Sequence, residues 1–143
     1  MKQALDQAHK SAEMGEVPVG AVIVAGGRTI ARAHNLCERL HDFTAHAEMQ
    51  AFTAASEFLG GKFLDQCTLY VTLEPCPMCA GAAYWTRIGR VVYGARDDKR
   101  GGLDFKGKRS EGLLHPRTEL VGGVLEEECA ELLRTFFSQR RKS

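Results

Sequence analysis

Thr68 to Leu73 sets Leu69, Val71 and Leu73 against Thr68, Tyr70 and Thr72, and Pro75 follows almost at once. A strand with one apolar face that passes directly into a helix commits a chain to a layered α/β arrangement. Pro75 suits a helix start, where its missing N–H has no partner to lose, so the helix is expected from Pro75 to about Thr86. Cys76 and Cys79 are three apart in its first turn, so their sulfurs share one face. A helix N-terminus also lowers thiol pKa and favours the thiolate.

The other elements follow from the same signals. Leu5, Ala8 and Ala12 recur at helical spacing over residues 2–14, and Gly15 is a stop. Val19 to Val24 and Thr29 to His34 read as strands joined by a Gly26-Gly27 hairpin turn. After a loop from Asn35 to Phe43, Thr44 is placed to cap a long helix that ends at Gly60-Gly61. Arg90 to Tyr93 is a fourth strand closed by Gly94, and Glu119 to Val121 a weak fifth. Residues 98–116 read as a surface loop. Leu125, Cys129, Leu132, Leu133, Phe136 and Phe137 form the apolar stripe of a final helix. The alternation implies one sheet with helices on both faces.

At 143 residues, residues 1–143 are expected to form a single domain with a real core. No apolar run approaches the roughly 20 residues that span a bilayer, and the polar start is not a secretory leader. Five cysteines, an odd number, suit a reducing compartment. The expected location is the cytoplasm, with no membrane partner. Cys67 and Cys129 fall on apolar faces and read as core; Cys37 lies in a loop. Charge is uneven. Arg87 to Arg109 carries eight basic residues against three acidic ones, and Arg140-Arg141-Lys142 closes the chain. Such segregation attracts phosphate backbones, although a solvated loop and tail would show it too.

His46-Ala47-Glu48 stands at the other helix start, again after a strand and loop. His46, Cys76 and Cys79 supply three of the four donors of a tetrahedral zinc, and a catalytic site leaves the fourth position to water. Two thiolates neutralise the ion while leaving it able to bring water's pKa from about 15.7 towards roughly 7. Glu48 supplies a carboxylate to move the proton. The alternatives are a redox dithiol or a closed structural site with Cys37, His34 or His41 as fourth ligand. The pairing of His-x-Glu with Pro-Cys-x-x-Cys is an established signature of zinc-dependent nucleobase deaminases.

Longer segments sharpen this. Val17-Pro18-Val19-Gly20-Ala21-Val22, Thr44 to Glu48, Leu69 to Ala82, Arg87 to Asp97, and Phe136-Phe137 with Arg140-Arg141 together resemble the bacterial transfer-RNA adenosine deaminases along nearly the whole chain. That resemblance implies a three-layer α-β-α, cytidine-deaminase-like fold with a central five-stranded mixed sheet, working as a homodimer. It implies conversion of adenosine to inosine at the first anticodon position of a transfer RNA, whose anticodon arm is the partner. His46, Cys76 and Cys79 would hold one Zn²⁺ per chain, with Glu48 as proton shuttle. Asn35, Val19, Ala47, Leu73 and Asp97 match substrate-binding positions. Arg96, Lys99, Arg140 and Arg141 would contact the RNA backbone. Tyr84-Trp85 departs from the pattern and is similar to bacterial guanine deaminases, so deamination of free bases or nucleosides such as guanine is the alternative. Arg100 stands where a small residue is expected.

Overall fold

The computed structural model describes residues 1–103 and 113–142, with the side chain of Lys142 left out. Lys106, Lys108 and Arg109 of the basic segment, and the Lys142 side chain of the basic tail, therefore lie outside the described residues. The elements are α1 (Lys2–Glu13), β1 (Gly20–Ala25), β2 (Arg28–His34), α2 (Cys37–Leu40), α3 (Ala47–Leu59), β3 (Cys67–Leu73), α4 (Pro77–Thr86), β4 (Arg90–Ala95), β5 (Glu119–Val121) and α5 (Glu126–Lys142). The sheet order is β2-β1-β3-β4-β5. β1 pairs antiparallel with β2 and β3, whereas β3–β4 and β4–β5 are parallel. The sheet is therefore mixed and five-stranded. α1 and α5 pack on one face, against β1, β3 and β4; α3 packs on β1 and β2 and meets α4 on the other. Among the described residues no helix is long and apolar enough to cross a membrane.

The β1–β2 hairpin turns through Gly26 and Gly27, both at positive φ, as a two-residue turn demands. Leu69 and Val71 of β3 are fully buried, as is the Cys67 thiol. Cys129 of α5 is buried too. The parallel β3–β4 pair is joined by α4, and its strands end together at Leu73 and Ala95. Ligands of open parallel sheets bind beyond such strand ends.

Four local expectations are corrected. The buried side of α1 is Ala4, Gln7, Ala8 and Ser11, about a quarter-turn from the Leu5–Ala8–Ala12 stripe. Small residues win because β1 approaches too closely for larger ones: a Cβ on Gly20 would lie 2.0 Å from the Ala4 carbonyl oxygen. The loop from Asn35 to Phe43 contains the short helix α2, whose first-turn N–H groups are met by the distant Glu16 carboxylate. Thr44 does not cap α3; its hydroxyl and N–H both bond Asp42 Oδ1, and His46 is the N-cap. α4 begins at Pro77, not Pro75, with Cys76 as its N-cap. Gly20→Ala should destabilise the fold by about 1–3 kcal/mol, the usual cost of overpacking. Urea unfolding would check this; an unchanged midpoint would contradict the close approach.

Candidate metal centre and substrate cleft

α3 and α4 start at the same place. His46 and Cys76 are their N-caps, both in extended backbone, and Cys79 is the third residue of α4. His46 Nδ1 lies 3.6 Å from Cys76 Sγ and 3.5 Å from Cys79 Sγ. All three donor atoms fall within 4.8 Å of one another. A tetrahedral zinc with ordinary Zn–N and Zn–S bonds requires an N···S separation of about 3.6 Å. The donor set therefore fits that ion in spacing as well as chemistry. Among the described residues no fourth His, Cys, Asp or Glu joins the group. Of the proposed fourth ligands, His34 Nδ1 instead faces the Asn35 carbonyl, and Cys37 Sγ the Phe43 carbonyl at 3.8 Å. His41 is exposed at the left-handed C-cap of α2.

The three donors lie close enough to shift one another's titration. The Cys76 thiol is pushed down to about 4, because Cys79 hydrogen-bonds to it and His46 adds to the effect against burial. Cys79 goes up, since it holds the shared proton and is itself buried. The thiolate beside His46 raises the imidazole. Glu48 is only 4% exposed, and burial raises its carboxyl above the ordinary carboxylate range.

The cluster opens into a cleft of about 300 Å³ lined by His46, Glu48 and Cys76 with Val19, Asn35, Leu73 and Asp97. Four of the five predicted substrate positions thus share one hollow. The fifth, Ala47, is fully buried and presents its N–H to Asn35 Oδ1 at 2.8 Å. Asn35 Nδ2 donates to the Val17 carbonyl, so Asn35 also serves as the cap that Thr44 does not supply. Asp97 Oδ1 accepts the N–H groups of Lys99 and Arg100 and shapes its own loop. The sequence reading assigned no substrate role to Glu16, Glu74, Cys37, Phe43 or Arg100, all of which line the cleft. The available signal was a carboxylate directly before each of the segments Val17-Pro18 and Pro75-Cys76.

A second hollow of about 870 Å³ adjoins the first and shares Val17, Leu73, Asp97, Arg100 and Arg140 with it. Arg96, Lys99, Arg140 and Arg141 all line it, beside Leu133 and Phe137. Arg140 donates to the Gly15 carbonyl and stacks over Phe136, so it also ties α5 to the end of α1. The basic segment is not one surface, however. Arg87 lies over the Phe63 ring, and Arg90 is 3.1 Å from Glu119. Both stand at the start of β4, the far end from Leu73 and Ala95, because an extended strand separates them from Arg96.

The MafB19-like deaminase profile matches residues 1–141. The chain belongs to this deaminase family. A tRNA-specific adenosine deaminase of Bacillus subtilis (strain 168) is 50% identical over 144 residues, covering 99% of this chain and 89% of that protein. A solved structure from studies of A-to-I editing by tRNA:A34 deaminases at the wobble position superposes with a TM-score of 0.87 at 44% identity, covering 93% of this chain and 97% of the other. A guanine deaminase structure from Bacillus subtilis is also 44% identical, but it covers 66% of this chain and 61% of its own, with a TM-score of 0.63.

The raised Glu48 carboxyl has a thermodynamic consequence. Its folded pKa lies above the unfolded value, so the neutral form is favoured in the fold, and stability is lost as the pH rises through the folded pKa. In metal-free protein, Glu48→Gln should therefore unfold at a higher temperature than the parent at pH 8, with the gain shrinking as the pH falls towards the ordinary carboxylate range. Paired thermal melts at several pH values test the sign; a variant less stable at pH 8 would contradict it.

Proposed function

We infer that the chain is a zinc-dependent hydrolytic deaminase that converts adenosine to inosine at the first anticodon position of a transfer RNA. The observation that carries this reading is the continuity of the site. A buried glutamate stands beside a three-donor cluster, in a cleft that runs into a basic groove. The strength and coverage of the similarity to tRNA-specific adenosine deaminases support the substrate class; of the guanine deaminase structures, that of Bacillus subtilis covers 66% of the chain, and that of Nitrosomonas europaea covers 96% but at 24% identity.

His46, Cys76 and Cys79 would hold one Zn²⁺, and Glu48 is the catalytic carboxylate. Bound there, the ion supplies an acidified water as nucleophile. Glu48, buried and drawn towards its protonated form, takes a proton from the attacking water and delivers it to the purine ring nitrogen beside C6. The same carboxylate then takes the remaining proton from the added hydroxyl and passes it to the amino group, which leaves as ammonia, so adenosine and water give inosine and ammonia. Asn35, held in place by the Ala47 N–H and the Val17 carbonyl, orients the base between Val19 and Leu73, and Asp97 meets the flanking backbone. Arg96, Lys99, Arg140 and Arg141 hold phosphates of the anticodon arm. A loop nucleotide is a suitable target, because pairing need not be broken before the base is extruded. Residues 1–143 act as one deaminase domain, in the cytoplasm.

Glu48→Gln should retain metal and lose about 10²–10⁴-fold in turnover, the usual worth of general acid–base catalysis. The substrate is tested by inosine formation in an anticodon stem-loop against ammonia release from free guanine. With four phosphate contacts to a single strand, log affinity should fall against log salt with a slope of about −3. Salt-insensitive guanine turnover, with no inosine in the hairpin, would favour the free-base alternative.

The chain also acts as a homodimer. Trp85 is 77% exposed at the end of α4, and shares one hollow with Tyr84 and Phe63. Such large exposed aromatics suit an interface core. Light scattering should return twice the 15.7 kDa of one chain; a monomer at micromolar concentration would refute the dimer.

A further inference from the structure

Glu16 and Glu74 are almost completely buried, at 1% and 2% exposure. Neither belongs to the donor cluster or to the proton transfers. A buried carboxylate is costly unless it is hydrogen-bonded, and each is met in the same way. Glu16 Oε1 and Oε2 accept the N–H groups of Glu38 and Arg39 at 2.9 and 2.8 Å. Glu74 Oε1 and Oε2 accept those of Asp97 and Leu103, both at 3.1 Å. Each carboxylate thus grips a distant loop by two backbone donors.

Both loops line the cleft: Cys37, Glu38 and Phe43 come from the first, Asp97 and Arg100 from the second. The second loop lies flush on its anchor. A Cβ on Gly101 would fall 2.3 Å from Glu74 Oε2, and one on Gly102 would fall 2.9 Å from the Cys76 carbonyl carbon. The Gly102 N–H donates to the Pro75 carbonyl at 2.8 Å. The same loop therefore shapes the cleft and buttresses the backbone of a cluster residue.

We propose that Glu16 and Glu74 are positioning residues for the deamination, each fixing one wall of the cleft around the substrate through a pair of backbone N–H groups. This rests on the reading that the substrate is a loop nucleotide of RNA. Only a carboxylate offers two acceptor atoms at this reach. Glutamine keeps the shape but turns an NH₂ towards one of the two donors. An apolar side chain would leave both buried N–H groups unmet.

The test is Glu16→Gln and Glu74→Gln in the full-length protein. The measurements are kcat and KM on an anticodon stem-loop, zinc content, thermal midpoint and amide hydrogen exchange. Losing a charge-assisted hydrogen bond to a wall should raise KM about tenfold to hundredfold. Glu16→Gln should leave kcat within about threefold, since Glu48 and the donor cluster stand on other elements. Exchange should quicken in residues 36–43 for Glu16→Gln and in residues 97–103 for Glu74→Gln. Unchanged KM with unchanged local exchange overturns the proposal. So does a parallel fall in zinc, midpoint and kcat with exchange rising everywhere, which is the mark of a merely structural role. If either glutamine variant does not fold, Glu16→Asp or Glu74→Asp, which keeps the charge but shortens its reach by one methylene, takes its place under the same outcomes. A parent protein that forms no inosine in the hairpin overturns the substrate reading instead. The exchange measurement needs no RNA and still decides whether the walls are held.

Discussion

Two helices of this protein begin at one point in space, and most of the fold serves to bring them there. A helix N-terminus carries unpaired N–H groups and a partial positive charge. Anionic donors are stabilised at such a place, and two converging termini double the effect. β3 delivers Cys76 and Cys79 by running straight into α4, and α3, packed on β1 and β2 and against α4, brings His46 to the same point. The two N-caps are extended in backbone, which aims their side chains off the helix ends. The His-x-Glu spacing then makes sense: in mid-helix those side chains would diverge, but at a helix start both reach the same cleft.

What the sequence made legible was periodic or chemical; what it hid depended on contacts between distant segments. Alternation from Thr68 to Val71 in β3, the Gly26-Gly27 turn and the Cys76–Cys79 spacing are local, and the structure agrees with each; His46 was legible by its chemistry alone. The cap of α3 was not local. Thr44 has the right chemistry in the right place, but Asp42 takes both its donors, and Asn35 reaches the first helical N–H from twelve residues away. α2 is hidden for the same reason, since the acceptor for its first turn is Glu16. The buried side of α1 was set by the closeness of β1 rather than by hydrophobicity. The basic segment misled because charge was counted along the chain, whereas β4 carries Arg90 and Arg96 to opposite ends of the sheet.

The site costs the fold something. Three of its carboxylates, Glu16, Glu48 and Glu74, are buried in a chain of 143 residues. Folded domains of this size have net stabilities of only about 5–15 kcal/mol, so each buried charge must be justified by a partner or by a function. Glu16 and Glu74 are compensated by backbone donors. Glu48 is the one that burial drives towards its neutral form. On the proposed function, that difference would separate two kinds of work: Glu16 and Glu74 would hold shape, and Glu48 would exchange protons. Stability sacrificed at a reacting group is a common trade in enzymes.

Size divides the labour between the two hollows. The cleft at about 300 Å³ lies at the lower end of the roughly 300–1,000 Å³ typical of small-molecule sites. It has room for one flipped nucleotide and little else. A single nucleoside offers few contacts, and those spent on the reacting base are best reserved for the transition state. Affinity must then come from elsewhere on the substrate, and the adjoining groove offers guanidinium and ammonium groups to a charged backbone. Arg100 and Arg140 line both spaces, so a phosphate bound there, as proposed, would sit at the threshold of the reacting base. Binding energy from the RNA backbone can thereby hold the adenine against Glu48 without being drawn from the base itself. A free base would forgo that contribution, and in a site built this way it would lose turnover as well as affinity.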